Sequence, residues 1–227
     1  MLTALRNIAA VILIVVSIIC FSIVFIFHCR GFYYFEVDYL DIPEYSGMSK
    51  ETVISNYNTM MNFFNPFSTA SFRLDTLPFS QDGEQHFNEV KNITNTLFFA
   101  FMISLPLGAF LLHRAGKRRH RVMIAAGVTA PVLICLLGLP LLLFFDWALT
   151  WYHEVVFRND LWLFPFDTDP IVMILPEEYY WHCTLLIMLI ISLLSSVLLI
   201  TGIISRKKVL AKKIKNESTK RKSKSST

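Results

Sequence analysis

The sequence predicts an all-α membrane protein with four transmembrane helices and an extracellular cap formed by its first and second outer loops. Of its 227 residues, 54% are hydrophobic and only 17% are charged, whereas about a quarter of the residues in a soluble domain are charged. The apolar residues are concentrated in four runs, each close to the roughly 20 residues that a helix needs to cross a bilayer. The charged residues are divided unequally between the connecting segments, which indicates an orientation in the membrane.

Each of the four apolar runs is free of Lys, Arg, Asp and Glu. That absence argues against a channel or transporter, whose pathways usually carry ionisable residues within the spans. The first run is similar to a secretory signal, but it is too long and no small-residue cleavage site follows it, so we expect a retained span. The predicted spans are Ile8–Phe27, Ile93–Leu112, Val122–Phe145 and Cys183–Ile204.

The charge distribution predicts which connecting segments face the cytoplasm. Sixteen of the 21 basic residues, but only one of the 17 acidic residues, lie before the first span, in the loop 113–121 or after Ile204. The positive-inside rule therefore predicts that this loop and both termini are cytoplasmic in a multi-pass cell-membrane protein. The predicted organisation is a first transmembrane helix at 1–28, an extracellular cap at 29–92, two transmembrane helices at 93–145, a second outer loop at 146–182, a fourth transmembrane helix at 183–205 and a basic tail at 206–227.

The basic loop 113–121 and the basic tail 206–227 predict an electrostatic partner. Clusters of Lys and Arg beside a span bind anionic lipids, at about 1 kcal/mol per residue near the surface, so we expect anionic lipid at both segments. The tail has no aromatic platform among its basic residues, and we expect no nucleic-acid partner. Cys29 and Cys183 lie at the outer ends of two spans, and the sequence leaves their pairing as a disulfide open.

The first outer segment contains two predicted helices. Ser49 is typical of a helix N-cap, and apolar residues recur after it at helical spacing until Asn65-Pro66 ends the helix. The second helix begins near Ser80 or Asp82 and continues into the second span. It places His86 and Glu89 on one face, which suits either a surface ion pair or a functional histidine.

The second outer segment mixes titratable groups with large aromatic side chains between Trp151 and Pro176. A plain connecting loop needs only turn residues and solubility, whereas this interleaving is typical of a confined active site. Its titratable and amide residues are His153, Glu154, Arg158, Asn159, Asp160, Asp167 and Asp169, and its aromatic residues include Trp151, Tyr152, Phe157, Trp162, Phe164 and Phe166.

The residue spacing of the outer segments excludes several common chemistries. His153-Glu154 begins like a zinc-protease helix, but Phe157 occupies the position of the second histidine. His86, His153 and His182 match no recognised metal-binding spacing, so we expect no metal and no other cofactor. The chain also lacks a G-x-S-x-G elbow and an outer cysteine in a nucleophile motif. The predicted site therefore offers acid–base groups, and the substrate has to supply the nucleophile.

Two motifs resemble a known family. The stretch HEVVFRNDLWLFPFDTDPIVMILPEEYY from His153 and the stretch EQHFNEVK from Glu84 are similar to sequences of the lipoprotein intramolecular transacylases of Gram-positive bacteria. The resemblance covers the chain up to its basic tail. It implies an enzyme of the bacterial cell membrane whose substrate is a diacylglyceryl lipoprotein with a free N-terminal cysteine. In that reaction the sn-2 acyl chain moves onto the substrate's own amino group, giving the lyso-form lipoprotein.

The resemblance implies that His86 and His153 are the catalytic pair at the extracellular membrane interface. Imidazole has a pKa of about 6.5 and an α-amine about 8, so one histidine can accept the amine proton while the other protonates the departing oxygen. The sequence leaves this division of labour open. The residues expected to orient groups, support an oxyanion or line the cavity are Glu89, Lys91, Trp151, Tyr152, Phe157, Arg158, Asn159, Asp160 and Trp162.

Two other functions fit the same sequence pattern. A membrane lipid-ester hydrolase would use the same histidines to activate water, and a non-catalytic assembly or sensor protein would use the outer segment 29–92 to bind a partner. For each supporting residue, ordinary packing or surface ion pairing is an equal alternative to a functional role. We expect the protein to be a monomer.

Overall fold

The computed structural model describes residues 2–225, and these form helices and connecting segments without a β-strand. Two short 3-10 helices, Gly116–Arg118 and Pro170–Ile174, lie between the α-helices. The α-helices are α1 (Leu2–Phe27), α2 (Arg30–Tyr39), α3 (Ile42–Ser46), α4 (Lys50–Phe63), α5 (Gln81–Arg114), α6 (Arg119–Leu143), α7 (Phe145–Val156) and α8 (Glu177–Ser225).

Four of these helices, α1, α5, α6 and α8, are long and apolar enough to cross a membrane. Between 11% and 33% of the apolar stretch in each is buried inside the protein, so most of this surface needs lipid around it. The predicted fold class, an all-α membrane protein with four spanning helices, is confirmed. Helices α5 and α8 extend well beyond the predicted spans because backbone hydrogen bonding continues where the side chains become polar.

One compact unit contains residues 2–19, 101–133 and 190–225. Its helices approach closely at small residues, as is usual where lipid supplies no hydrophobic drive for helix association. A Cβ atom on Gly127 would lie 2.9 Å from the Ser195 carbonyl oxygen and 2.9 Å from the Leu199 backbone nitrogen. Ser17 Oγ donates to Ser104 Oγ at 2.9 Å. Small side chains and a buried hydroxyl pair therefore contribute to the helix contacts of this unit.

The second compact unit contains residues 20–100 and 134–189, and it has an aromatic core. The Tyr33 and Tyr57 rings stack with centroids 3.5 Å apart, and Tyr33 Oη donates to the Ile174 carbonyl oxygen at 2.7 Å. These contacts join α2, α4 and the 3-10 helix Pro170–Ile174. The buried members of the core are Tyr33, Val37, Ile42, Val53, Tyr57, Met60, Met61, Phe63, Phe64, Phe72, Leu74, Phe87, Ile171, Ile174 and Tyr179.

Two helices begin where the sequence predicts. The Ser49 side chain accepts a hydrogen bond from the Thr52 backbone N–H at 3.2 Å, so Ser49 is the N-cap of α4. Helix α4 ends at Phe63, before Asn65-Pro66, and α5 begins at Gln81. These three predictions, the Ser49 N-cap, the end of α4 and the start of α5, are confirmed. Cys29 and Cys183, whose pairing the sequence leaves open, are free thiols.

The segment 146–182 is more helical than predicted. The third spanning helix, α6, ends at Leu143 rather than Phe145, because Phe144 leaves the helical conformation with φ −138° and ψ 56°. The chain then forms α7 instead of an irregular loop. Trp181 Nε1 donates to the Leu142 carbonyl oxygen at 3.1 Å and so satisfies one of the last carbonyls of α6.

Candidate active site

Two histidines from different helices meet in the second unit. His86 lies near the start of α5 and His153 near the end of α7. Their ring centroids are 5.8 Å apart and the ring planes differ by 29°. At this separation a proton can pass from one imidazole to the other by way of hydrogen-bonding atoms.

Aromatic side chains surround the histidine pair. The Phe157 ring centroid lies 4.7 Å from that of His86 and 5.4 Å from that of His153. The ring centroids of Trp162 and His153 are 4.6 Å apart, and those of Phe164 and His86 are 5.9 Å apart. These rings lower the local polarity, which disfavours a charged imidazole.

The hydrogen bond of His153 defines its tautomer. Nδ1 lies 2.7 Å from the Leu149 carbonyl oxygen, which only accepts, so Nδ1 carries the hydrogen and donates. In the neutral ring Nε2 then has a free lone pair. Burial lowers the pKa of His153 below its usual value near 6.5, and the Leu149 hydrogen bond offsets part of this effect. His153 is therefore placed to act as a neutral proton acceptor.

His86 is buried more deeply than His153. Only 7% of its surface is exposed, and its buried Nδ1 has no hydrogen-bond partner among residues 2–225. Buried polar atoms without a partner are uncommon in folded proteins and point to a functional role or to a bound molecule. A substrate group that reaches this ring would find an unused nitrogen.

A hydrogen-bond network links the helix of His86 to the segment behind His153. Asn159 Nδ2 donates to Glu89 Oε1 at 3.0 Å and to Glu89 Oε2 at 3.2 Å. Trp162 Nε1 donates to the Asn159 carbonyl oxygen at 3.0 Å. Because Glu89 lies one helical turn after His86 and Trp162 lies against His153, Asn159 connects the surroundings of both rings.

A buried carboxylate attaches the same segment to the first turn of α5. Asp169 Oδ1 accepts from the Ser80 backbone N–H at 2.8 Å, and Oδ2 accepts from the Thr168 hydroxyl at 2.7 Å. Asp169 is fully buried. A Cβ atom on Gly83 would lie 2.2 Å from Asp169 Oδ1, so only glycine allows this approach. Negative charge at a helix N-terminus is favourable.

The family model of the lipoprotein intramolecular transacylase Lit matches residues 8–180. The chain belongs to the Lit family. The resemblance drawn from the two motifs, and with it the expectation of an acyltransferase family, is confirmed.

Solved structures of a Lit protein are similar to this chain. The in meso structure of the membrane-integral lipoprotein intramolecular transacylase Lit from Bacillus cereus aligns with a TM-score of 0.84 and 25% identity, covering 93% of this chain and 97% of that one. A structure of the same protein with a histidine-to-arginine mutation aligns with a TM-score of 0.82 and 25% identity, covering 91% and 93%. The four-helix membrane fold is thus a Lit fold.

A protein of Aquifex aeolicus, described as uncharacterized, is also similar to this Lit-family chain. The two are 26% identical over 144 residues, which are 62% of this chain and 64% of the relative. The chain therefore spans about 64% of the length of that relative.

Several residues predicted for the Lit-family site lie around the histidine pair. Phe157, Trp162 and Tyr152 pack against one or both rings, with Tyr152 centred 5.4 Å from His153. Glu89 and Asn159 form the network behind the rings. Glu89 hydrogen-bonds to Asn159 instead of serving as a local ion-pair partner for His86.

Four other residues predicted for the site are not brought to the two rings. Lys91 Nζ donates to the Ser68 carbonyl oxygen at 2.9 Å and lies 4.1 Å from the centroid of the Phe63 ring. The side chains of Arg158 and Asp160 are exposed, although Arg158 adopts φ +58° and so turns the backbone immediately before Asn159. Trp151 is 53% exposed and stacks on Trp147. In a helix, residues two apart point to different sides, so Trp151 does not share the face of His153.

Phe164 and Asp169 belong to the segment 151–176 that the sequence predicts as the site, but neither is among the predicted catalytic or supporting residues. Phe164 touches His86 from a position 78 residues later in the chain, and no local pattern predicts such a contact. For Asp169 there was one signal, because a glycine in the first turn of a predicted helix often marks a close approach. Gly83 occupies that position.

His182, the third histidine of the predicted outer segments, has a separate partner. Its Nδ1 lies 2.8 Å from Oε2 of Glu36, whose side chain is almost fully buried. Within residues 2–225, no group of three His, Cys, Asp or Glu side chains is arranged to hold a metal ion.

Proposed function

We propose that this protein is an intramolecular transacylase. It moves the sn-2 acyl chain of a diacylglyceryl lipoprotein onto the amino group of the substrate's own N-terminal cysteine and gives the lyso form. The observation that carries the proposal is the meeting of His86 and His153, at 5.8 Å, inside an aromatic enclosure. Family membership supports the same reaction.

In the proposed mechanism the substrate supplies both reacting groups. The amine nitrogen attacks the sn-2 ester carbonyl, a C–N bond forms, and the bond from the acyl carbon to the glyceryl oxygen breaks. His153 accepts the amine proton at Nε2, the nitrogen that the Leu149 hydrogen bond leaves free. The enzyme then needs no nucleophile of its own.

His86 completes the proton transfer as a relay. Protonated His153 passes its proton to one nitrogen of His86, and His86 gives the proton on its other nitrogen to the departing sn-2 oxygen. Both rings are neutral before and after the reaction, as their apolar surroundings favour. The unpartnered Nδ1 of His86 provides one of the two nitrogens that a relay requires.

The aromatic enclosure contributes orientation. The reaction passes through a medium-sized ring that joins the amine, the thioether, the glyceryl group and the ester, and such rings close rarely in a flexible chain. Holding the two ends together in a reactive geometry is worth up to about 7–11 kcal/mol in favourable cases. Phe157, which touches both imidazoles, is placed to exclude water from the hydrolytic side reaction.

We further propose that residues 29–92 and 146–182 form the extracellular cap, with both termini and the basic loop 113–121 in the cytoplasm. The charge distribution of the sequence supports this orientation. A lipoprotein acyl ester in the outer leaflet is then accessible to the histidine pair. We also propose that anionic lipid binds at the basic loop and the basic tail, and that the enzyme is a monomer.

Mass spectrometry of a synthetic diacylated lipopeptide tests the function. Incubation with the purified protein should leave the peptide mass unchanged and convert one ester-linked fatty acid into an amide. A hydrolase would remove a fatty acid, and a binding protein would change nothing. His86→Ala and His153→Ala should each abolish the shift, whereas His113→Ala, an exposed histidine at the far end of α5, should retain it. Full activity in either active-site variant would overturn the assignment of that residue.

A further inference from the structure

Helix α7 has an apolar face on the side away from the histidine pair. Trp147, Trp151 and Val155 recur at i, i+4 and i+8, and they are 63%, 53% and 46% exposed. The two indole rings stack with centroids 6.4 Å apart and planes differing by 17°. His153 lies about 160° around the helix from Trp151. The same short helix therefore presents a catalytic histidine on one side and an uncovered aromatic stripe on the other.

This stripe follows directly after a spanning helix. Helix α7 begins at Phe145, two residues after α6 ends at Leu143. Trp181, in the first turns of spanning helix α8, donates to the carbonyl oxygen of Leu142. The end of one span and the beginning of another thus meet where α7 starts, and we expect hydrocarbon to give way to headgroups at this level. Tryptophan is enriched at that level because its ring is apolar and its N–H is polar.

We propose that the face formed by Trp147, Trp151 and Val155 contacts the bilayer and seats α7 at the membrane interface. Its partner is the upper part of the acyl chains, just below the headgroups of one leaflet. A helix of 12 residues is too short to span the bilayer but suits an interfacial position. Seating α7 in this way fixes the depth of His153, on its opposite side, near the glyceryl esters of membrane lipids. This last consequence rests on the proposed function.

The size of the face favours lipid over a second copy of the chain. Three partly exposed side chains offer at most a few hundred Å², since even a whole aromatic side chain buries about 150–250 Å². A stable dimer buries about 800 Å² on each partner. A bilayer requires no such minimum area, because α6 and α8 already hold the protein in it.

Depth-dependent fluorescence quenching tests the proposal without measuring the reaction. The full chain and the variant Trp147→Phe/Trp151→Phe are reconstituted in vesicles of phosphatidylcholine and phosphatidylglycerol carrying bromine at different acyl positions. Trp162 and Trp181 are present in both proteins, so the difference in emission reports the stacked pair. We expect that difference to lose most of its intensity with bromine near the headgroup, and little with bromine at the chain end or with acrylamide in the water. Quenching by acrylamide alone would mean that the face lies in water, and quenching by neither would mean that protein covers it. Both results overturn the proposal.

A kinetic comparison tests the seating of His153. Trp147→Ser/Trp151→Ser should raise the KM for a bilayer-embedded diacylated lipopeptide several-fold. It should leave kcat unchanged for a short-chain lipopeptide that is dispersed in water, and Trp147→Phe/Trp151→Phe should behave like the unaltered protein. An unchanged KM in the serine variant would contradict the seating role. If bromolipids quench but the unaltered protein transfers no acyl chain, the membrane contact stands and the proposed function fails.

Discussion

Asn159 Nδ2 donates to both carboxylate oxygens of Glu89, at 3.0 and 3.2 Å. This contact joins α5, which carries His86, to the segment after α7, which carries His153. The Asn159 carbonyl oxygen also accepts the indole N–H of Trp162, whose ring lies 4.6 Å from His153. One asparagine thus holds the surroundings of both imidazoles in register, and its role is positional because its side-chain amide bonds to Glu89.

Removal of the Asn159–Glu89 contact should slow acyl transfer. A hydrogen bond to a charged group contributes about 1.5–3 kcal/mol, so Asn159→Ala should reduce kcat by about 10- to 100-fold if that energy is used to orient the rings. Initial rates on the diacylated lipopeptide measure the effect. Glu89→Gln keeps an acceptor for Asn159 and should retain more activity than Glu89→Ala. Equal loss in the two Glu89 variants would argue against a positioning role.

The rate of transfer should depend on the protonation of His153. Burial lowers its pKa, so the neutral ring with its free Nε2 persists below the usual pKa of about 6.5. Protonation of the substrate amine, which has a pKa of about 8, should lower the rate in proportion to proton concentration below that pH. His153 should add a second, steeper acid limb only below about 6.5, as its ring becomes protonated. Initial rates between weakly acidic and weakly alkaline pH locate this limb.

The acid limb of His153 can be compared between two variants, Phe157→Ser and Asn159→Ala. Phe157→Ser admits water to both rings and should move the acid limb upward, toward the ordinary histidine pKa, because the desolvation that lowers the pKa is reduced. In Asn159→Ala the limb should stay in place. A second, steeper limb that begins at or above the ordinary histidine pKa in the unaltered protein would contradict the buried, neutral His153.

Gly83→Ala should destabilise the protein. The added Cβ would lie 2.2 Å from Asp169 Oδ1, so the carboxylate has to move and lose its hydrogen bonds with Ser80 and Thr168. Leaving a buried charged group unsatisfied costs on the order of 2–3 kcal/mol. Thermal unfolding in detergent measures the change. Gly31→Ala is the matched control, because its Cβ meets nothing within 4 Å and alanine favours a helix over glycine by about 0.5–1 kcal/mol. A similar Tm change in both variants would count against the Asp169 attachment.

The hydrogen bond between His182 and the buried Glu36 side chain should stabilise the fold. His182→Ala leaves the buried Glu36 side chain without the imidazole 2.8 Å away, and a buried acceptor left without its hydrogen-bond partner costs on the order of 1–3 kcal/mol. Adding Glu36→Gln should restore part of the loss, because the amide carries no charge. Lys50→Ala, which removes an exposed ion pair with Asp38, should change the unfolding free energy by less than about 1 kcal/mol. A loss in the double variant as large as that in His182→Ala would contradict this explanation.

The sequence predicted the elements whose signals are local. Hydropathy identified the four spans, the Ser49 N-cap located α4, and the polar run before Ile93 predicted that α5 starts near Ser80. Helix α7 was missed because its titratable and aromatic residues were interpreted as a loop. That error explains the placement of Trp151 among the cavity walls, since only helical geometry separates it from His153.

Contacts between distant parts of the chain could not be predicted from the sequence. The approach of Phe164 to His86 and of Asp169 to Ser80 depends on how α5 and the segment 157–176 pack. The pairing of Asn159 with Glu89 is of the same kind. Both residues were selected for their chemistry, but their mutual contact follows only from the fold.

The most direct test of the two-histidine mechanism is the amount of amide-linked fatty acid formed on a diacylated lipopeptide by His86→Ala, His153→Ala and the double variant, measured by tandem mass spectrometry. If the two rings act as one proton relay, each single variant should lose as much activity as the double variant, because residues that act as a unit are not additive. Losses that multiply in the double variant, or full transfer in either single variant, would contradict the relay between His86 and His153.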